Sequence, residues 1–494
     1  MLNQEKLYNT ERRDSYSILV KPTAMCNLNC EYCYDLPMRE RLGNCKMSRE
    51  IVEHIADLVN KHTKRVQWIW HGGEATMMGR EWFEDIQDVF DKRYATEFTQ
   101  NVQSNGLNFA RDYGWIGTLN KTGINPGISY DGFTQEVRVG STQDDMTKLI
   151  KDYEKKGVSL GTISVINKKN VDKMIDMYEQ NKKDFGADFG GAFNVIFKAK
   201  NTESFGLELT CEEYAPHFKS FVEYLLNDLS EEASLERTVR VTISNVTGSM
   251  DNVCCTNTDC RLNWIGVNAD GTIYPCDRYL EKYEIGNIMD FESIEEIYMS
   301  ENFQRYYKDI ATRFDTYCKE CLYYKECNGG CNANHVDVDG SVSSINETDC
   351  EIFKSRFDIV YFALQDLDTD SVINHRIACK LVKDRFISVR EISKWLGELG
   401  YEIDLHIDSN SVEVGKLQDT PQFKLFRIFN PYRGTANCGH TDFVNYDYRL
   451  DIDVIAGSQI LKQSECSRRE IFTKIYQDKH ELIDTLIMEV LHND

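Results

Sequence analysis

Between Tyr16 and about Phe197, short apolar runs alternate with stretches whose apolar positions recur at helical spacing. The runs are YSILV (16–20), VQWIW (66–70), TQNVQ (99–103), NPGIS (125–129), VSLGTISVI (158–166) and AFNVIF (192–197). Short runs of this kind, bounded by turn residues, read as strands. Between the first two, Ile51, Ile55, Leu58 and Val59 share one helical face, and Ser48 stands where an N-cap hydroxyl is needed. Alternating strand and helix predict a parallel sheet covered by helices and joined by right-handed crossovers. Six such units predict an α/β fold built as a partial (β/α)6 barrel rather than a ring of eight. In TIM-type barrels chemistry is built in the turns after the C-terminal ends of the strands.

The rhythm stops between Cys254 and Cys350, where cysteine is dense and NADGT (268–272) and CNGGC (327–331) signal turns. A small loop-rich domain organised by metal is expected there. Beyond residue 361 the cysteines thin out to Cys379, Cys438 and Cys466. In that part Ser388 can cap a helix carrying Val389, Ile392, Leu396 and Leu399 and ended by Gly400. A closing helix is predicted over 468–491: Ser467 and Glu470 fit a capping box, and Ile471, Ile475, Leu482, Leu486 and Val490 line one face. The predicted division is a tail (1–15), the barrel (16–235), the cysteine-rich domain (236–360) and a C-terminal α+β extension (361–494).

Composition narrows the function. Eighty acidic residues against 57 basic ones give a net charge of −23 over 494 residues. Such a surface repels phosphate backbones and anionic membranes, so neither is expected as a partner. The chain opens on the polar MLNQEKLYNTERRDS, which is no leader, and no run of 18 apolar residues occurs. A cytoplasmic protein is expected. Seventeen cysteines in that reducing setting point to thiolates used for metal or redox chemistry.

The first strand is followed at once by CNLNCEYC, which spaces Cys26, Cys30 and Cys33 as x3 then x2. One loop can aim three thiolates at a four-iron cube and leave one iron open for a substrate or cofactor. The alternatives are a zinc loop with a distant fourth ligand, or buried thiols. The second strand ends in Trp70-His71-Gly72-Gly73-Glu74. Paired glycines let backbone approach a ligand, and a carboxylate can hold an ammonium. Downstream, Cys254-x5-Cys260-x15-Cys276 and Cys318-x2-Cys321-x5-Cys327-x3-Cys331-x18-Cys350 supply eight thiols, enough for two four-ligand sites. Zinc ribbons remain the alternative on spacing alone.

Together these motifs resemble the radical S-adenosylmethionine (AdoMet) superfamily, and the second cysteine run resembles its SPASM extension, ordered as in anaerobic sulfatase-maturating enzymes. The resemblance implies that Cys26, Cys30 and Cys33 hold a 4Fe–4S cluster whose open iron chelates AdoMet. It implies that Gly72, Gly73 and Glu74 meet the methionine amino group, that Tyr32 packs near adenine, and that Ser129 and Arg138 contact AdoMet. Ser104-Asn105-Gly106 and Ser129-Tyr130-Asp131-Gly132 look like the later loop motifs of that superfamily. Two auxiliary 4Fe–4S clusters are implied, one on Cys254, Cys260, Cys276 and Cys331, the other on Cys318, Cys321, Cys327 and Cys350. Cys255, adjacent to Cys254, could replace it, and the spacing favours Cys254. Asp277, directly after Cys276, falls where that family has its proposed base.

The activity so implied is reductive cleavage of AdoMet to a 5′-deoxyadenosyl radical, then hydrogen abstraction from a peptide or protein. An external one-electron reductant such as a flavodoxin or ferredoxin is implied as partner. The product is an oxidised residue or a thioether or carbon–carbon crosslink, and formylglycine is one candidate. Three departures separate the chain from the sulfatase maturases: Ala75 in place of proline, Asp35 in place of tyrosine, and the added residues 361–494. The reading of another class is a non-enzymatic iron–sulfur or zinc protein that carries electrons or binds a partner.

Overall fold

The computed structural model describes residues 13–93, 95–186, 191–196, 206–227, 236–246, 263–278, 281–337 and 339–365, together with five strands between 402 and 463. Two compact units emerge: one comprises Met1–His217 with Asn252–Lys354, the other Phe218–Asp251 with Ser355–Asp494. The barrel strands and the cysteine-rich segment therefore belong to one unit.

That unit is organised on strands β1 (Arg13–Val20), β2 (Asn29–Cys30), β3 (Thr63–Trp70), β4 (Glu97–Ser104), β5 (Asn125–Ser129), β6 (Arg138–Val139), β7 (Gly161–Ile166), β8 (Ala192–Val195), β9 (Trp264–Val267), β10 (Thr272–Tyr274) and β11 (Gly286–Asn287). Nine of them form a sheet ordered β11-β10-β9-β1-β3-β4-β5-β7-β8. β1, β3, β4, β5, β7 and β8 are parallel neighbours, as the six predicted units require. β9 adds to the free side of β1 in parallel, and β10 and β11 follow antiparallel. Four residues, WIGV, were too short a run to announce that the cysteine-rich segment would extend the barrel sheet. Among the described residues β8 and β11 are the ends of an open sheet.

Local sequence explains these elements. The helix Arg49–His62 starts at Ser48, whose hydroxyl accepts from the Ile51 amide. Its buried face is Val52, Ile55, Ala56, Leu58 and Val59, with Ile51 at the margin. On β3, Val66, Trp68 and Trp70 alternate inward. Both tryptophans are fully buried among Trp82, Phe83, Phe90 and Phe98 in largely edge-to-face contacts, the arrangement aromatic quadrupoles favour. The Trp70 indole donates to Gln100 Oε1 at 3.1 Å, which satisfies its buried N–H. No helix among the described residues is long and apolar enough to cross a membrane.

In the second unit, β12 (Glu402–His406), β13 (Ser411–Gly415), β14 (Gln422–Phe429), β15 (Arg449–Ala456) and β16 (Gln459–Gln463) form an antiparallel meander in chain order. Register sets Phe426 opposite Ile452 and Ile428 opposite Leu450. The helices predicted at 388–400 and 468–491 lie outside the described residues.

Candidate active site

The C-terminal ends of β1 and β3 build the first cysteine loop. After β1 the chain passes Lys21 and Thr23 and reaches Cys26; β3 ends one residue before His71. The two turns are strapped together by backbone: the Gly73 amide donates to Thr23 O at 3.3 Å, and the Glu74 amide to Met25 O at 2.7 Å. A Cβ on Gly73 would stand 2.4 Å from Ala24 O and 2.5 Å from Met25 O. Gly72 adopts φ +116° and is nearly as confined, by Thr23 O. The glycine pair is thus needed first for the close approach of two chain segments. Gly73→Ala is expected to cost about 1–3 kcal/mol by overpacking and to lower the iron retained by the loop after reconstitution. Thermal unfolding and iron analysis of the variant check both.

Glu74 is buried, and its carboxylate bridges two segments, its own turn and the one after β4. It accepts from the Thr76 amide and hydroxyl, from Ser104 Oγ at 3.0 Å, and from the Asn105 amide at 2.7 Å. Burial pushes the carboxyl up, and those hydrogen bonds work in the opposite direction. The side chain is therefore committed to holding Ser104-Asn105-Gly106 against the Gly-Gly turn. Asn105 in turn reaches Cys26 Sγ at 3.7 Å, and the Leu28 amide reaches the same sulfur at 3.5 Å. N–H groups aimed at sulfur favour thiolate.

Cys30 lies on β2, which pairs with β6 so that Cys30 faces Arg138. Tyr32 donates to the Asp131 carboxylate, and the Arg138 guanidinium lies 5.2 Å above the Tyr32 ring centroid. Arg138 Nε stands 2.8 Å from Asp131 Oδ2. Ser129, at the end of β5, accepts from Gln103 Nε2 at 3.1 Å. Tyr32 lies within the cysteine loop and Arg138 beside it, while Ser129 is held at the end of β5, and each already has a protein partner.

A second polar cluster joins the two cysteine regions. Tyr34, next to Cys33, donates to Asp277 Oδ2 at 2.9 Å, and Asp277 follows Cys276. Lys21 and Asp35 form a buried ion pair at 2.6 Å, and the Lys21 ammonium sits 5.7 Å from the Tyr34 ring. Burial opposes the Asp277 charge, but His71, Lys21 and Arg278 prevail and hold its carboxyl at about 2. Asp277 is an ionised, buried carboxylate with a tyrosine on one oxygen. Burial pulls the His71 pKa down, against the opposing pull of Asp277. Sequence reasoning missed Lys21, Tyr34 and His71; each directly flanks a recognised motif or ends a strand, and that adjacency was the available signal.

The remaining cysteines also assemble. Cys276 and Cys331 both lie within electrostatic reach of Arg278. Cys318 lies within electrostatic reach of Cys321, and Cys327 within reach of Cys350 and Cys318. The helix Glu301–Arg313 widens into a π turn, Phe314–Cys318, which delivers Cys318. Between Cys327 and Cys331 the chain turns through Asn328, Gly329 and Gly330, all at positive φ. Buried Arg313 braces this loop, donating to Val342 O at 3.0 Å and to Asn332. Cys254, Cys255 and Cys260 lie outside the described residues.

These sulfurs fit iron–sulfur clusters. Burial, reinforced by neighbouring sulfurs, pushes the Cys30 thiol up to about 12 and the Cys350 thiol to about 11. Cys26, Cys318 and Cys327 move the same way. Crowded buried thiols resist ionisation unless bound cations compensate their charge. Among the described residues no three His, Cys, Asp or Glu side chains close on a single metal ion. In a cubane each ligand serves its own iron.

Comparison with known proteins agrees. Residues 255–322 match SPASM, an iron–sulfur cluster-binding domain. A cysteine-type anaerobic sulfatase-maturating enzyme of Clostridium novyi (strain NT) is 27% identical over 367 residues, covering 70% of this chain and 95% of that protein. The solved structure of native anSMEcpe with bound AdoMet and Cp18Cys peptide matches with a TM-score of 0.60 at 22% identity, covering 71% of this chain and 99% of that one. Streptococcus suis SuiB bound to its precursor peptide SuiA matches with a TM-score of 0.50 at 15% identity, over 69% of this chain and 77% of that one.

Proposed function

We propose, from the premise that this chain is a radical AdoMet protein carrying a SPASM domain, that it is a maturase that abstracts hydrogen from a peptide or protein residue. The observation that carries this reading is the Tyr34–Asp277 hydrogen bond, which joins the first cysteine loop to the residue beside Cys276. A radical made at the first loop and a base beside the second region must reach the same substrate residue, and this contact brings their elements together.

Cys26, Cys30 and Cys33 would hold the AdoMet-site cluster. Cys254, Cys260, Cys276 and Cys331 would hold one auxiliary cluster, and Cys318, Cys321, Cys327 and Cys350 the other. When bound, a reduced cluster on the first loop would supply the electron that cleaves AdoMet, and an oxidised auxiliary cluster would accept one from the substrate radical. The protein's own share is positional and acid–base. The Gly72–Glu74 turn fixes the loop geometry, and Tyr34 orients the Asp277 carboxylate. Asp277 accepts a proton from the atom next to the radical carbon as the radical is oxidised, which leaves a double bond between the two. An external flavodoxin or ferredoxin supplies the reducing electron in the cell.

Formylglycine formation on a sulfatase is the narrower reading, favoured by the Clostridium novyi relative. Asp35, tied to Lys21, and the residues beyond 361 set the chain apart from that group. Residues 361–494 recruit the substrate in this proposal. Deleting them is expected to raise KM for the native peptide at least about tenfold, a loss of about 1.4 kcal/mol of binding, with peptide-independent AdoMet cleavage unchanged. Full modification at wild-type KM would contradict it. Anaerobic reconstitution with iron and sulfide, then dithionite and AdoMet, tests the parent proposal. About twelve irons per chain and formation of 5′-deoxyadenosine are expected; bound zinc with no AdoMet cleavage would refute it.

A further inference from the structure

We propose that Arg138 and Asp131 form a buried charge pair that tunes the reduction potential of the cluster on Cys26, Cys30 and Cys33, rather than a grip on the AdoMet carboxylate. The inference rests on the proposed function for that cluster and adds a role for residues outside its ligands.

The geometry begins with register. β2 and β6 are two residues each, and their pairing places Asn29 opposite Val139 and Cys30 opposite Arg138. The Glu31 amide continues the contact by donating to Val137 O at 3.1 Å. A fixed cation thus stands across the backbone ladder from the middle ligand of the loop. Its side chain is 8% exposed, and that of Asp131 is fully buried. Nε lies 2.8 Å from Oδ2, and Nη2 donates to Oδ1 at 3.2 Å. The guanidinium face lies over Tyr32, between Cys30 and Cys33 in sequence. One nitrogen is thus hydrogen-bonded to Asp131, a second lies in ion-pair contact without a hydrogen bond, and one face is covered by Tyr32.

Asp131 is anchored in its own right. Oδ1 also accepts from the Val165 amide at 2.8 Å, on β7, and the Asp131 amide donates to Gln135 Oε1 at 2.8 Å. The pair is fixed to the sheet on one side and to the cysteine loop on the other. Neither charge is screened by solvent, and Arg keeps its proton at any working pH. Of the two, Arg138 is the one set directly opposite Cys30 in the β2–β6 register. Adding an electron to a cluster adds negative charge, so a nearby cation favours the reduced form and a nearby anion opposes it.

The two halves of the pair must then act with opposite sign. The test is an EPR-monitored redox titration of full-length, anaerobically reconstituted protein before AdoMet is added. It follows the signal whose line shape changes when AdoMet is supplied afterwards. Arg138→Met is expected to lower the reduced-to-oxidised ratio at the wild-type midpoint at least tenfold, about 59 mV for a one-electron couple. Asp131→Asn is expected to raise it. Arg138→Lys stays near wild type, and the double variant R138M/D131N returns toward it. Single variants that shift together, shift not at all, or all fail to retain the cluster would overturn the inference. So would unchanged potentials with weakened AdoMet binding in R138M, the signature of a carboxylate contact. If unmodified protein shows no AdoMet-responsive signal, the proposed function fails and this inference with it.

Discussion

Cys30→Ala is expected to reduce 5′-deoxyadenosine formation to the protein-free background while leaving most of the iron in place. Of the about twelve irons that the proposed three cubanes would hold, about four should be lost. The reason lies in how the ligands divide. Cys26, Cys30 and Cys33 sit on one loop, held by the Gly72–Glu74 turn and the β2–β6 pair. Cys318, Cys321, Cys327 and Cys350 are assembled elsewhere, by the π turn and the Asn328–Gly330 turn. Cys30 is on the far side of this division from Cys318, Cys321, Cys327 and Cys350, so its loss should leave that assembly in place. Removing a buried sulfur whose thiol burial pushes up to about 12 also relieves repulsion with Cys33 and Cys26, so folding should survive. Iron analysis, circular dichroism and product quantitation separate these effects. Loss of all iron, or retention of AdoMet cleavage, would contradict the division.

The second large effect is expected at Asp277. Asp277→Asn keeps the shape and still accepts from Tyr34, but it cannot take a proton. Product formation should fall by about 10²–10⁴-fold, the usual contribution of a positioned base, while AdoMet cleavage triggered by substrate continues. The variant should therefore become uncoupled, with 5′-deoxyadenosine exceeding modified peptide. Tyr34→Phe removes the hydroxyl that orients the carboxylate and should show the same uncoupling more weakly. Parallel loss of 5′-deoxyadenosine and product would place Asp277 in cluster assembly instead. Quantifying both species in one reaction distinguishes the cases.

The pattern of the chain carried the barrel well, because each parallel strand is a short apolar run and each crossover helix a periodic face. NPGIS became β5 with its predicted limits, and Ser48 caps its helix as read. The cysteine motifs were legible because metal ligation demands fixed spacing within a loop. What stayed hidden were pairings across distance. Lys21 and Asp35 are 14 residues apart and look like surface charges until the fold buries them together. Glu74 reads as a ligand contact, yet it also ties Thr76, Ser104 and Asn105 into one support. In the C-terminal region helical faces drew attention, although RLDIDVIA alternates with period two and forms β15.

The central claim is that a radical made at the Cys26–Cys33 loop takes hydrogen from a peptide. Its most direct measurement is isotope transfer from a peptide deuterated at the modified residue into 5′-deoxyadenosine, read by mass spectrometry. Candidate peptides are the short open reading frames beside the gene, synthesised with and without the label. One deuterium in 5′-deoxyadenosine, matched by peptide that has lost it, is the result expected. 5′-Deoxyadenosine that stays unlabelled while the peptide is modified would contradict the claim.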